Sequence, residues 1–234
     1  MADFKECLSG WNIDISADQL SMFEEYYALL ISWNSKFNLT AVTGREDVYI
    51  KHFLDSLALL SFCDINDKLI LDVGTGAGFP GIPLAIMNAK SDIVLLDSLS
   101  KRIFFLETVV DKLNLSNVKC ICGRAEELGH DVHFRQSFDI VTSRAVAGLN
   151  ILSEYCLPFV KSGGSFISYK GPDPDDELRQ ALNAISLLGG CPPDLQKYNI
   201  PFTDIARSLI FIEKSFDTPE RFPRRTGKPL KKPL

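Results

Sequence analysis

The chain has 234 residues, 46% hydrophobic and 24% charged, a balance that excludes a charge-dominated disordered protein and allows one sizeable core with at most a small appendage. Apolar runs such as Ile93-Val94-Leu95-Leu96 fall far short of the roughly 18 residues a membrane span requires, so no membrane partner is expected. The net charge of −5 is unevenly spread, because residues 1–220 carry 19 basic against 30 acidic groups while residues 221–234 carry six basic groups and no acid.

Residues 1–63 read as a helical cover belonging to the same globule. Leu20, Phe23, Tyr27, Leu30, Ile31, Trp33 and Phe37 recur at helical spacing, Asn38-Leu39-Thr40 breaks the pattern, and a second helix over 48–62 follows an expected cap at Asp47. From 64 to 220 the rhythm changes to that of an α/β core. Short β-branched runs at 68–73, 92–97, 118–122, 139–142 and 164–170 alternate with helical stretches, including 81–87 and 100–113, which predicts a parallel sheet covered on both faces. The runs 196–200 and 208–214 are joined by a link too short for a crossover helix, so they should pair antiparallel. The basic segment 221–234 either meets a polyanion on one face or is an unattached solubilising end. The six cysteines form no Cys-x-x-Cys pair and are not spaced with His52, His130 or His133 as zinc ligands, so no metal site is expected and a reducing cytoplasm is.

The sharpest motif is Asp72-Val-Gly74-Thr75-Gly76-Ala-Gly78-Phe79-Pro-Gly81, an apolar strand running into alternating glycines and then a helix. Such a turn lies at the carboxyl end of a parallel sheet, where open α/β sheets bind ligands, and glycines let a ligand approach the backbone. Gly76-Ala-Gly78-Phe-Pro-Gly81 formally matches a dinucleotide fingerprint, with Asp97 placed as a ribose acid, so an NAD-dependent oxidoreductase is one alternative. The register favours another ligand. The strand ends at Val73, and a carboxylate at Asp72 suits an ammonium or sulfonium cation better than a pyrophosphate, unless it orients the loop instead.

The loop resembles the first motif of S-adenosylmethionine-dependent methyltransferases. The wider set Trp33-Asn34-x-x-Phe37-Asn38-Leu39-Thr40, His52-x-Leu54-Asp55-Ser56, Leu96-Asp97-Ser98-Leu99-x-Lys101-Arg102, Ser143-Arg144-Ala145 and Lys170-Gly171 resembles the RsmG family, also called glucose-inhibited division protein B. The end, Pro223-Arg224-Arg225-x-Gly227-x-Pro229, is similar to its Gram-positive members. The resemblance implies a Rossmann-like class I methyltransferase: a mostly parallel seven-stranded sheet with an antiparallel last strand. It also implies a cytoplasmic, monomeric enzyme that methylates N7 of a guanine in 16S ribosomal RNA or the small ribosomal subunit. S-Adenosylmethionine would then meet Asp72, Gly74, Thr75, Gly76, Gly78, Phe79, Asp97, Ala125, Glu126 and Arg144, with Arg144 also positioning the reactants. RNA would meet Asn38, Lys101, Arg102, Lys170, Arg207, Arg224, Arg225 and Lys228, with His52 either an RNA contact or a packing group. Guanine N7 already presents a lone pair, so no general base is expected, and the chain has no Asp/Asn-Pro-Pro-aromatic motif of the kind that serves exocyclic amines. The remaining alternative is a ribosome-assembly factor that binds the cofactor without turnover.

Overall fold

The computed structural model describes residues 4–234. Seven strands form one sheet in the order β3-β2-β1-β4-β5-β7-β6: β1 Leu69–Val73, β2 Asp92–Asp97, β3 Val118–Cys122, β4 Phe138–Arg144, β5 Val160–Lys170, β6 Asp194–Asn199 and β7 Ala206–Glu213. Strands β1 to β5 are parallel. β7 lies antiparallel between β5 and β6, so the pair expected from the short link forms with β6 at the edge. Alternate strand residues feed opposite faces, Ile70, Ile93, Leu95 and Ile140 one core and Leu71, Val94, Leu96 and Val141 the other. A sheet buried on both sides needs such continuous apolar runs, and that is why its strands stand out in the sequence.

Helices α1 Phe4–Ser9, α2 Ala17–Phe37, α5 Gly81–Met87 and α6 Ser100–Lys112 cover the first face; α8 Leu149–Cys156 and α9 Asp175–Leu187 cover the second. α2 starts in a capping box: Ser16 Oγ accepts from the Gln19 amide (3.1 Å), and Gln19 Oε1 accepts from the Ser16 amide (2.9 Å). Such a cap contributes about 1 kcal/mol. Gln19 Nε2 also donates to Ile86 O (3.1 Å), tying the cover to the end of α5.

The stretch expected as one helix capped by Asp47 is instead a composite. α3 Arg45–Val48 follows Gly44 as its cap, a π-helical turn Tyr49–Leu54 comes next, then α4 Asp55–Leu57 and a 3₁₀ turn Ala58–Ser61. Asp47 sits inside the first turn and pairs with Lys51 at 2.7 Å. The segment 221–234 is not an unattached end, since Phe222 is buried in the second core and the chain closes with α10 Lys228–Lys231.

Candidate cofactor and substrate site

β1 lies between β2 and β4, where the sheet's strand order reverses, and its glycine loop opens into the crevice that α/β sheets use for ligands. The Gly74 and Thr75 amides both donate to Leu96 O (2.8 and 3.1 Å), stitching the loop to β2. Gly74 and Gly76 have φ of +70° and +63°, a region costly for any residue with a side chain, and a Cβ on Gly74 would fall 2.5 Å from Val146 Cγ2. Above the loop lies a cavity of about 500 Å³, with Thr75, Phe79, Asp97, Glu126, Arg144 and Tyr155 in its walls.

Asp97 is buried at the end of β2. Its Oδ2 accepts from the Gly76 amide and from Arg102 Nη1, both at 3.0 Å, and its Oδ1 accepts from the Leu99 amide at 2.9 Å. A carboxylate offers about four acceptor positions, so capacity for a hydroxyl remains. Arg102, expected at RNA, therefore forms part of the cavity wall through its acid.

Two expected residues lie outside the cavity lining. Asp72 is fully buried beneath the loop, where Oδ2 accepts from the Gly81 amide at the start of α5 (3.0 Å) and Oδ1 accepts from the Thr142 hydroxyl (3.1 Å). Burial pushes its carboxyl up to about 6. It fixes the strand-to-helix turn rather than facing a sulfonium. Gly78 has φ of +100° and turns toward the cover, where a Cβ would meet the Tyr26 hydroxyl and Ile82 at 2.7 Å. Its missing side chain lets α2 pack against the loop.

The opposite wall is a stack. The His52 ring lies on Phe79 with centroids 4.6 Å apart, and the Arg144 guanidinium sits 5.1 Å from the same ring. Arg144 Nη1 donates to Asp55 Oδ2 at 2.9 Å, both groups being largely buried. Asp55 Oδ1 accepts from the Tyr198 hydroxyl (3.2 Å) and pairs with Arg207 Nε (3.5 Å). His52 Nε2 lies 2.9 Å from Thr40 Oγ1. Burial, helped by the charge of Arg144, pulls the imidazole down to about 4. His52 is thus a neutral packing and positioning group in the wall, and Thr40 and Asp55 are partners that the sequence reading passed over. The signal for Asp55 was available, because a buried arginine requires an acid.

Beyond β3, α7 Ala125–Leu128 brings Ala125 and Glu126 to the cavity, both buried. Tyr155 of α8 and Leu230 of α10 complete this end, and neither carries a sequence signal. Among the residues expected to meet RNA, several have partners within the chain. Lys170 Nζ donates to Ala147 O (3.2 Å) and pairs with Glu177, Arg207 pairs with Asp55, and Arg224 pairs with Glu154. Lys101 Nζ reaches Phe37 O at 3.5 Å. Asn38 caps α2 in the left-handed conformation (φ 49°) and is exposed, as are Arg225 and Lys228. Among the described residues, no group of three His, Cys, Asp or Glu side chains is arranged to hold a metal ion, and no helix is long and apolar enough to cross a membrane.

Residues 19–204 match the family model described as rRNA small subunit methyltransferase G. A Ribosomal RNA small subunit methyltransferase G of Lachnoclostridium phytofermentans is 49% identical over 232 residues, covering 99% of this chain and 96% of the relative. One of Carboxydothermus hydrogenoformans is 48% identical over 233 residues, covering 100% and 99%. In fold the chain is similar to a SAM-dependent O-methyltransferase of Thermotoga maritima, with a TM-score of 0.54 at 15% identity over 80% of this chain and 71% of that one.

Proposed function

The chain belongs to the rRNA small subunit methyltransferase G family, and from that premise we propose that it methylates N7 of a guanine in 16S ribosomal RNA by direct in-line displacement. Membership removes the oxidoreductase alternative. The cavity fits S-adenosylmethionine. Thr75 Oγ1 is buried in its lining without a hydrogen bond of ordinary geometry, and the left-handed glycines form a cradle that side chains would fill. Bound there, S-adenosylmethionine supplies a methyl carbon made electrophilic by its sulfonium.

The remaining work falls to the chain. Gly74, Thr75 and Gly76 shape the seat, Asp97 accepts ribose hydroxyls, and Ala125 and Glu126 border the adenine end. The stack of Phe79, His52 and Arg144 forms the wall beside which the acceptor base is held. The observation carrying the N7 reading is that every acid or imidazole in the cavity wall is already engaged: Asp97 by Gly76, Leu99 and Arg102, Glu126 by the Gly227 amide, and His52 by Thr40. Asp72, whose raised pKa would otherwise mark a base, has both oxygens occupied beneath the loop. An exocyclic amine must lose a proton on methylation, whereas N7 attacks with a lone pair it already has, so alignment alone suffices. Arg144 is neutralised by Asp55 and acts by positioning rather than by adding net charge beside a developing purinium. Asn38, Lys101, Arg225 and Lys228 provide exposed polar and basic contacts for the RNA.

The test uses small subunits from a strain lacking the enzyme, tritiated S-adenosylmethionine and the purified protein. Label released by borohydride and aniline cleavage, which attacks 7-methylguanosine, is the expected result. Label on an exocyclic amine would overturn the N7 assignment, and binding without transfer would favour the assembly-factor alternative.

A further inference from the structure

The segment that closes the adenine end of the cavity is held by an unusual number of long-range contacts. Arg135 donates to four carbonyls, those of Gly129 (2.7 Å), Phe222 (2.8 Å), Thr218 (2.6 Å) and Pro219 (3.3 Å). His130 Nε2 lies 2.7 Å from Pro223 O. Arg224 then grips Glu154, which is 0% exposed, with its backbone amide (2.7 Å) and with Nε (2.8 Å) and Nη2 (2.5 Å) of its side chain. Beyond this anchor Gly227 turns the chain at φ +78° and donates its amide to Glu126 Oε1 at 3.0 Å. Pro229 is buried, yet Leu230, the next residue, is 63% exposed and lines the cavity. A basic, solvated segment has no need to place a bare isobutyl group over a ligand cavity, or to hold it there by burying an ion pair. Desolvating Glu154 is costly unless its partner's geometry is good, as it is here.

We propose that the 222–230 segment is the outer wall of the cofactor site, with Leu230 as the apolar cover of the adenine and the Gly227 amide setting the position of Glu126. The placement follows from the sheet. Asp97 ends β2 and marks the ribose, the glycine loop after β1 holds the amino-acid end, and the base therefore extends over the end of β3, where Ala125, Glu126 and Leu230 meet. Adenine offers two flat apolar faces and Leu230 covers one of them, so water leaves both surfaces on binding. This rests on the cofactor reading given above.

Calorimetry of the full chain, with S-adenosylhomocysteine and with 5′-methylthioadenosine, which keeps the adenine and ribose but lacks the amino-acid end, tests the assignment. Leu230→Ala should weaken both ligands alike, by about five-fold, the effect of removing one to two methylene equivalents from a buried contact. Because Leu230 is exposed, the ligand-free melting temperature should not change, and RNA affinity should stay at the wild-type value. Gly227→Pro, which removes the amide and forbids the positive φ, should weaken both ligands more than Leu230→Ala does. Wild-type affinity for both ligands in Leu230→Ala and Gly227→Pro would overturn the proposal. Weakening confined to S-adenosylhomocysteine would overturn it too, by placing Leu230 at the other end of the ligand. Failure of the wild-type chain to bind S-adenosylhomocysteine would instead refute the cofactor reading on which the wall depends.

Discussion

The two rims of the cavity are built in different ways. The inner rim, from Gly74 to Gly81, is a local device: within eight residues a strand ends, the backbone turns through left-handed conformations and α5 begins, with Asp72 holding the turn from below. The outer rim is assembled at long range. Gly227 reaches Glu126 across 101 residues and Arg224 reaches Glu154 across 70. The inner rim works through conformations only glycine adopts at little cost, and the outer rim works through side chains that must find distant partners.

That contrast can be broken on either side. Gly74→Val should have the largest effect, abolishing S-adenosylhomocysteine binding by calorimetry, because the new Cβ lies 2.5 Å from Val146 Cγ2 in a positive-φ position. Arg224→Ala attacks the outer rim. It leaves Glu154 buried without its partner and should cost roughly 3 to 5 kcal/mol in urea denaturation, as is usual when one member of a buried pair is removed. Adding Glu154→Gln should recover part of that loss, since it is the uncompensated charge that destabilises. Asp97→Ala, at the junction of the rims, should cost about 1.5 to 3 kcal/mol of cofactor affinity through loss of charge-assisted bonds to the ribose.

The smallest expected effect sharpens the comparison by pH. His52 titrates near 4 in the fold against 6.5 when free, so the unfolded chain binds its proton more tightly and its contribution to stability is lost as pH falls from 6.5 through 4. Asp72 has the opposite slope, because a carboxyl raised from 3.8 to about 6 stabilises the fold at low pH and loses that contribution as pH rises through this range. Subtracting the acid-unfolding profile of His52→Gln from that of the wild type isolates the imidazole. A difference that does not grow below pH 6.5 would show that His52 is not buried in the wall.

The sheet was legible because a strand covered on both faces must be apolar at successive positions, and the glycine loop was legible because its chemistry is written in neighbouring residues. The misread parts have specific causes. β5 begins at Val160 rather than at 164 because Gly163 and Gly164 hide an irregular pairing with β4, and no periodicity signals a π-helical turn at Tyr49–Leu54. Asp72 looked like a ligand contact because its position in the strand is readable, whereas the direction of its carboxylate depends on Thr142, 70 residues away. Leu230 and Tyr155 could not be found at all, since each owes its place in the wall to contacts made elsewhere in the chain.

Asp55 extends this point into the order of events during folding. Its carboxylate gathers Arg144 from β4, Tyr198 from β6 and Arg207 from β7, the farthest of them 152 residues along the chain. Closing such a span costs chain entropy before any contact rewards it. The wall beside the methyl acceptor is therefore finished only when the edge hairpin of β6 and β7 docks, although the glycine loop can turn much earlier. A kinetic probe on Phe79 should report the last step of refolding, and one on the loop an early step.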